Sequence, residues 1–519
     1  MTPIRADLAD SDISPGKYLF LLPLFIAAAF LMYIPVLNHF FVSDDFKVLF
    51  RVCTERIIFI PGFFRPLSDL TIYANYLLGG LNPLGYNAFN VLVHGTNSYF
   101  VFLICFQIGM STREKANAFY FAILSSAFFI SYPFHNEAVV WMLGRGSGMA
   151  CLFALSGILC YYYLRTVNLK IWACCLCYFI SMSAFESTMI FPLIMLLLLI
   201  YEKQNHITRR NWMFAFACTF CVHLILRYWL SGSILGSYGN DFFHSGFKRY
   251  IVNIAKTGGR LILPPSDNSV LLTLVFVLLI FISAIYVKKH FYHIIQKKTW
   301  RSIAMISAML LVSTAVPIVA GVSTNTSESD RFLYFPSVFA CMIWANLIVF
   351  YIRRPFIQRI LVFSTIVYNL IFLELNNLNW RKASSVTSSI VEKIEGGKRS
   401  PNQGRIFFLN IPDEIEGAYV FRLGFQDALK LYGADSNRFV AVNYLSRNEM
   451  KEINKKNLPD AGKTIITVAP DIVLKKDSSG NYQIFKQEKL KYSSNREDEI
   501  YFWNSKKMEP LQSSFLRIP

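Results

Sequence analysis

The sequence predicts a polytopic α-helical membrane protein with a C-terminal extracytoplasmic α/β or α+β domain. Three observations predict it. Of the 519 residues, 54% are hydrophobic and only 16% charged, and the mean hydropathy is +0.39, well beyond ordinary globular usage. Apolar runs about as long as a bilayer crossing, roughly 20 residues, recur as far as residue 375. Lys and Arg cluster in every second connection between those runs, the charge pattern of loops kept on the cytoplasmic side.

The runs lie near 17-38, 88-110, 116-133, 147-164, 170-184, 187-201, 211-230, 269-287, 302-321, 332-352 and 356-375, so about eleven transmembrane helices are expected. Those at 170-184 and 187-201 are short and almost continuous and read as a tight hairpin. Arg113 and Lys115, Arg165 and Lys170, Lys203 with Arg209 and Arg210, the Lys288 to Arg301 stretch, and Arg353, Arg354 and Arg359 mark the inner connections. The alternate connections then face outward, the N-terminus is cytoplasmic, and the odd count puts the tail outside. A change of one helix within 170-201 would reverse the tail. The net charge of +18 is thus mostly topological, suits a bilayer with anionic head groups, and is no argument for nucleic acid. The first run exceeds the apolar core of a cleaved signal, about 7–15 residues, and no small-residue cleavage site follows it, so it reads as an anchoring helix.

Nine of the ten cysteines fall within or beside apolar runs, where a thiol acts as a small hydrophobe. Only Cys53 lies in an outward loop. Neither a disulfide framework nor a zinc spacing follows, and Cys174-Cys175-x-Cys177 reads as helix packing. After about residue 376 the chain turns polar and Lys/Glu-rich, broken by short apolar segments. Arg405 to Asn410, Phe439 to Asn443, Thr464 to Ala469 and Tyr482 to Phe485 are expected strands, and Phe425 to Leu431 a helix. No repeat of fixed period is present. The division expected is a membrane domain at 1-375 and a soluble extracytoplasmic domain at 376-519, of usual domain size.

Four places on the outward side carry groups suited to chemistry. The first is Ser43-Asp44-Asp45-Phe46-Lys47, directly after the first run. Ser43 would cap a short helix with both acids in its first turn; alternatively one carboxylate is a general base for an acceptor hydroxyl and the other orients it or helps hold a cation. Adjacent acids raise each other's proton affinity, which would tune one toward neutral pH. The second is Tyr132-Pro133-Phe134-His135-Asn136-Glu137, with Arg145 opening the next helix. These are either interfacial decoration, with Arg145 snorkelling, or groups that grip a lipid-linked phosphate. The third is the stretch Phe247 to Arg260, where Arg249, Lys256 and Arg260 share one helical face. This basic stripe would lie on anionic lipid heads or meet the same phosphate. The fourth is Ser329-Asp330-Arg331-Phe332-Leu333-Tyr334-Phe335-Pro336-Ser337, whose adjacent Asp and Arg read as a salt bridge. A base and several phosphate clamps on one side suit group transfer from a lipid phosphate to a hydroxyl.

The same residues carry a resemblance. Phe64-Arg65-Pro66-Leu67, Gly85-Tyr86-Asn87-Ala88-Phe89-Asn90-Val91-Leu92-Val93-His94, His135-Asn136-Glu137-Ala138-Val139, Gly144-Arg145 and Asp330 to Ser337 look like the membrane half of GT-C fold glycosyltransferases. They are closest to the transmembrane and tetratricopeptide-repeat O-mannosyltransferases and more distantly similar to protein O-mannosyltransferases. The resemblance covers roughly residues 17 to 380. It implies transfer of a sugar, expected to be a hexose, from a polyprenyl-phosphate donor, inverting at the anomeric carbon, with Asp44 or Asp45 as the base. It also implies that His135, Glu137, Arg145 and Arg331 serve the donor or order the site; Arg65, Arg249, Lys256, Arg260 and Tyr334 are further candidates for holding the donor phosphate or ordering the site. Three positions depart from it. Tyr132 and Asn87 stand where a His is usual, and Ser147 where an Asp is common, which leaves the sugar open. The repeats are replaced by the 376-519 stretch, so the acceptor stays open between a cell-surface glycan and a protein hydroxyl.

No cofactor is required by these motifs. If a cation takes part, Mg²⁺ or Mn²⁺ held partly by donor phosphate, with Asp44 and Asp45, is expected over an all-protein site. With one outward sequon, Asn325-Thr326-Ser327, and no retrieval tail, the expected compartment is a bacterial inner membrane. The competing reading is a transporter or flippase of lipid-linked glycan. Matched Gly/Pro-broken spans, the usual sign of a transporter, are not evident, and the acidic pair lies in a loop.

Overall fold

The computed structural model describes residues 15–111, 115–234, 246–266, scattered positions between 268 and 281, 298–352, 354–399, 404–450 and, with short breaks, 465–511. The first ten helices are α1 (Leu21–Tyr33), α2 (Asp45–Leu49), α3 (Pro66–Gly79), α4 (Pro83–Met110), α5 (Lys115–Ile130), α6 (Asn136–Val139), α7 (Arg145–Tyr163), α8 (Val167–Ala184), α9 (Phe191–Tyr201) and α10 (His206–Ser231). Helices at Phe247–Arg260, Lys298–Ser313, Ala315–Ala320, Tyr334–Tyr351, Pro355–Arg399 and Phe425–Leu431 follow. Local chemistry sets their ends. The Asn82 side chain accepts from Leu84 N–H at 3.0 Å, with Pro83 at the first position of α4, and Asn205 accepts from Thr208 N–H at 2.7 Å to start α10. α10 stops at Gly232, whose φ of +66° only glycine adopts cheaply.

Among the described residues, seven helical stretches are long and apolar enough to cross a membrane: Pro83–Met110, Met142–Tyr163, Val167–Ala184, His206–Ser231, Trp300–Ala320, Asp330–Phe350 and Pro355–Arg399. Leu21–Val36, Lys115–Ile130 and Glu186–Tyr201 are shorter apolar stretches. The protein is a polytopic α-helical membrane protein. The expected run at 269-287 falls largely outside the described residues. α4 and the helix at Tyr334–Tyr351 are largely enclosed by neighbours, whereas α10 and the apolar part of Pro355–Arg399 leave most of their side chains outside the protein core. In a membrane protein such faces meet lipid.

The connections gather at two ends. At one, Arg301 donates to the carbonyls of Ile200 and Tyr201, and the Ser111 and Tyr201 hydroxyls bond at 3.0 Å. At the other, Arg65 meets Glu186, Arg260 meets Asp330, Arg331 meets Glu137, and Gly62 N–H donates to Ser231 C=O. Glu137, Arg260, Asp330 and Arg331, drawn from three of the four places singled out in the sequence, meet at this second end.

The helix Pro355–Arg399 runs unbroken past the expected boundary at 375. Beyond that point it is amphipathic, burying Trp380, Ala383, Val386, Ile390 and Ile394, so its polar face hid its continuation. Twelve strands follow among the described residues, β1 (Ile406–Leu409), β2 (Ile411–Pro412), β3 (Glu414–Ile415), β4 (Ala418–Tyr419), β5 (Phe439–Ala441), β6 (Tyr444–Leu445), β7 (Ile465–Ala469), β8 (Ile472–Lys476), β9 (Tyr482–Lys486), β10 (Lys489–Ser493), β11 (Glu499–Trp503) and β12 (Met508–Pro510). One sheet has the order β12-β11-β1-β5, with β1 parallel to both neighbours. A second, β10-β9-β8-β7, is antiparallel throughout. β1 is fully buried, as expected of a strand covered on both faces. The expected strands at 405–410, 439–443, 464–469 and 482–485 and the helix at 425–431 coincide with elements. The others, two to five residues long, carry too little pattern to read.

Candidate active site

Asp44 and Asp45 are neighbours with different surroundings. The chain enters their loop through Ser43, which has φ +47°, a left-handed conformation that a serine adopts only when its surroundings hold it. Ser43 does not cap the helix as expected. Its N–H donates to Val420 C=O at 2.7 Å and its hydroxyl accepts from Leu423 N–H at 3.3 Å, so both polar groups face the C-terminal strands. Asp44 is the N-cap of α2 but makes no capping bond. Its Oδ1 is enclosed and has no hydrogen-bond partner among the described residues. Burial lifts the Asp44 carboxyl above the usual range, while the charges of Lys47, Arg331 and Arg422 draw it back down. Asp45 is 1% exposed, and its Oδ2 accepts from Val42 N–H at 2.9 Å. Burial holds the Asp45 carboxyl well above the usual range; the Val42 bond works against that and the Asp44 charge adds to it.

Arg145 lies beneath this loop, close enough for its charge to act on Asp45. It does not snorkel. The side chain is 1% exposed and its guanidinium donates to Asn75 Oδ1 at 2.8 Å, Thr71 Oγ1 at 3.3 Å and the carbonyls of Tyr86 and Met142 at 3.2 Å, over the Phe89 ring at 5.0 Å. Among the described residues it forms no salt bridge. Gly144 makes this turn possible, since a Cβ there would fall 1.9 Å from Glu137 O. Next to Thr71 an apolar groove of about 300 Å³ runs between α3, α4 and α7, lined by Leu67, Phe89, Leu92, Val93 and Met149.

Arg65, the N-cap residue of α3, lies 3.0 Å from Glu186 and 4.5 Å above the Phe185 ring. Glu186 is shared with Arg227 at 3.1 Å, so two guanidinium groups face one carboxylate. Glu186 and Arg227 were missed in the sequence, although a charge directly before one apolar stretch, 187-201, and another inside the stretch at 211-230 are themselves a signal. Asp69, paired with Arg51 at 2.8 Å, was missed because α3 is too polar to read as a span.

Of the remaining expected residues, Glu137, Arg260 and Arg331 have their charges paired within the protein, while Arg260 Nε and His135 Nδ1 keep no hydrogen-bond partner among the described residues. Asp330 does not pair with its neighbour Arg331. It takes a bidentate bond from Arg260 at 2.6 and 2.7 Å, with both side chains essentially inaccessible. Arg260 thereby leaves the expected basic stripe and stacks over Phe134 at 4.5 Å. Arg249 and Lys256 stay on the open side, lining a cleft of about 490 Å³ with Lys248, Asn253 and Gly321. Arg331 turns to Glu137, which is fully buried and also accepts from Arg331 N–H at 2.8 Å and the Tyr419 hydroxyl at 2.9 Å. His135 is also fully buried, its Nε2 2.7 Å from the Ser337 hydroxyl and its ring among Phe129, Tyr132 and Tyr334. Burial and the nearby His94 hold its pKa well below the ordinary value, so it stays neutral and presents no charge to a phosphate. Tyr334 is 1% exposed and bonds His94 Nδ1 at 2.8 Å and Asn97 at 3.1 Å. Cys53, expected in an outward loop, is buried.

The donor set for a cation is thin. Among the described residues no group of three or more His, Cys, Asp or Glu could hold a metal ion, so Asp44 and Asp45 do not complete an all-protein site.

No family model matches the chain. It is 29% identical over 154 residues to the protein O-mannosyl-transferase Tmtc1 of Drosophila melanogaster, covering 26% of this chain and 17% of that one. It is 35% identical over 101 residues to the protein O-mannosyl-transferase TMTC2 of Mus musculus, covering 19% and 11%. The chain thus spans less than a fifth of the length of these curated relatives. A crystal structure of ArnT from Cupriavidus metallidurans bound to undecaprenyl phosphate aligns over 86% of this chain and 92% of that one, at 11% identity and a TM-score of 0.38. The sequence similarity to the transmembrane and tetratricopeptide-repeat O-mannosyltransferases is what the comparisons show.

Proposed function

We propose that the protein is an integral membrane glycosyltransferase of GT-C type that moves a sugar, expected to be a hexose, from a polyprenyl-phosphate donor to a hydroxyl acceptor on the extracytoplasmic side. The observation that carries this reading is the acidic pair: Asp44 and Asp45 each keep one enclosed oxygen without a hydrogen-bond partner among the described residues, and because Asp45 alone is anchored, through its other oxygen on Val42 N–H, Asp44 is taken as the base and Asp45 as the group that orients the loop. The partial similarity to O-mannosyltransferases supports the chemistry.

In this reading Asp44 takes the proton of the acceptor hydroxyl while the oxygen attacks the anomeric carbon. The bond from that carbon to the donor phosphate breaks, and polyprenyl phosphate leaves with the electron pair, inverting the configuration. Arg145, a buried cation that forms no salt bridge among the described residues, and Arg65, in a cluster of two cations and one carboxylate, receive the phosphate charge. The groove at Leu67, Phe89 and Met149 suits an isoprenoid tail. His135, Glu137, Arg260, Arg331 and Tyr334 order the site. Arg249 and Lys256 face anionic head groups. Alternating basic loops support an extracytoplasmic site and C-terminal domain, and the single sequon supports a bacterial inner membrane.

The test is mass spectrometry of surface glycans and proteins from cells with the wild-type chain, a deletion, Asp44→Asn or Asp45→Asn. Loss of one hexose-sized mass in the deletion and in Asp44→Asn is expected. If the deletion loses the mass while both variants keep it, a flippase of lipid-linked glycan replaces the transferase.

A further inference from the structure

We propose that the segment from Tyr419 to Gly424 of the C-terminal strands is a working part of the outward site, holding the Asp44 loop and the Glu137–Arg331 pair in position, with Tyr419 as a positioning residue. This rests on the reading of Asp44 as the base.

Three contacts tie the segment to the base loop. Ser43 is bonded at both polar groups to Val420 and Leu423, as described above, and its left-handed backbone is held there. The Phe46 and Phe421 rings stack at 5.2 Å, both fully buried. Gly424, at φ +89°, lies so close that a Cβ would fall 2.3 Å from Ser43 O. A backbone oxygen cannot swing aside as a side chain can, so any other residue at 424 must push the loop away.

A second set of contacts reaches the other charged groups. The Tyr419 hydroxyl donates to Glu137 at 2.9 Å and lies 3.4 Å from Arg331. Its ring packs between Trp141 and Trp380, at 4.9 and 5.9 Å. Arg422 bridges Glu328, in the loop before Arg331, to Glu414 of β3. Gly417, at φ +90°, is equally close to Ser327, where a Cβ would meet the backbone nitrogen at 2.5 Å. One short segment therefore touches both loops whose charges act on Asp44, and a displacement of about 1 Å at a reacting group costs on the order of 100-fold in rate.

The experiment uses the full-length protein with Gly424→Ala, Tyr419→Phe and the exposed control Lys489→Ala. It reads hydrogen exchange of residues 42–50 and 327–333, and kcat and KM with polyprenyl-phosphate hexose. Gly424→Ala is expected to raise exchange at 42–50 and lower kcat about 100-fold with KM for donor nearly unchanged. Tyr419→Phe keeps the ring packing and loses only the hydroxyl, so it remains informative if Gly424→Ala does not fold; it is expected to raise exchange at 327–333 and lower kcat about tenfold. Unchanged exchange, or raised exchange with kcat at the control's value, overturns the proposal. Turnover of Asp44→Asn at the wild-type rate would instead sink the reading of the base, whatever the segment does.

Discussion

Two groups of buried charges sit at the same end of this molecule and are built on opposite principles. Around Arg260 and Arg331 every guanidinium has its carboxylate: Asp330 takes the first bidentately, Glu137 the second. Around α3 the matching is incomplete, with Arg145 held by neutral oxygens, Arg65 and Arg227 sharing one Glu186, and Asp44 and Asp45 each keeping an oxygen unpartnered among the described residues. A closed pair satisfies itself and fixes loops; an open one retains the capacity to bind a charge brought from outside. The difference teaches that proximity of charged residues in a membrane protein is less informative than whether their charges are already answered.

The comparison breaks most sharply at Asp44. If its free oxygen is the base, Asp44→Asn lowers turnover about 10²- to 10⁴-fold with donor binding retained, measured in detergent with purified protein. The charged form exists only above a carboxyl pKa that burial has raised. Turnover should therefore fall as pH drops through a midpoint above the ordinary carboxylate range, and a rate flat across that range would remove the assignment.

Opening a closed pair should damage the fold before the chemistry. Asp330→Asn strands Arg260 without its partner, and the loss expected for a buried pair is about 3–5 kcal/mol, read as a lower unfolding temperature. The double change Arg260→Met with Asp330→Leu should recover most of it. If the single variant is as stable as wild type, the distinction between closed and open groups fails.

Arg145 sharpens the same contrast from the other side. Arg145→Met should weaken polyprenyl-phosphate binding about 30- to 100-fold, and Arg145→Lys should not restore it, because an ammonium cannot reach Asn75, Thr71 and Tyr86 together. Binding at wild-type strength in the Met variant would leave the groove without a head-group site.

The smallest effect is expected next door to the largest. In Asp45→Asn an amide oxygen still accepts the Val42 N–H, so turnover should stay within about threefold of wild type. The Asp45 carboxyl is raised by burial, so its proton is bound more tightly folded than unfolded. Its stabilising contribution is full in acid, below the unfolded value, and is lost as pH rises through the folded one. The Asn variant should accordingly gain in thermal stability toward neutral pH and match wild type in acid; the opposite trend would reverse the assignment of the two acids.

How legible the site was depended on the kind of residue. Asp44, Asp45, Glu137, Arg145 and Arg331 stood out because charges beside apolar runs are few. Their partners did not. Nothing in Asp330-Arg331 says that the two acids and bases pair crosswise with Arg260 and Glu137, since adjacent residues on a tight turn point to different neighbours. His135 reads as an interfacial or phosphate-gripping group and is core, as is Tyr334, because Phe129 packs against both rings and Tyr132 against His135.

The apolar runs and the alternation of basic loops were determined by the sequence alone, because hydrophobic length and charge partition each segment locally and independently of its neighbours. The expected strand positions β1, β5, β7 and β9 followed in the same way from short apolar segments between polar ones. What only the tertiary structure decided is which charges are answered and which remain open. It also decided that Val420, Leu423 and Gly424 press against Ser43, some 380 positions away in the chain. Such contacts are set by packing between elements distant in sequence, and no local pattern of residues records them.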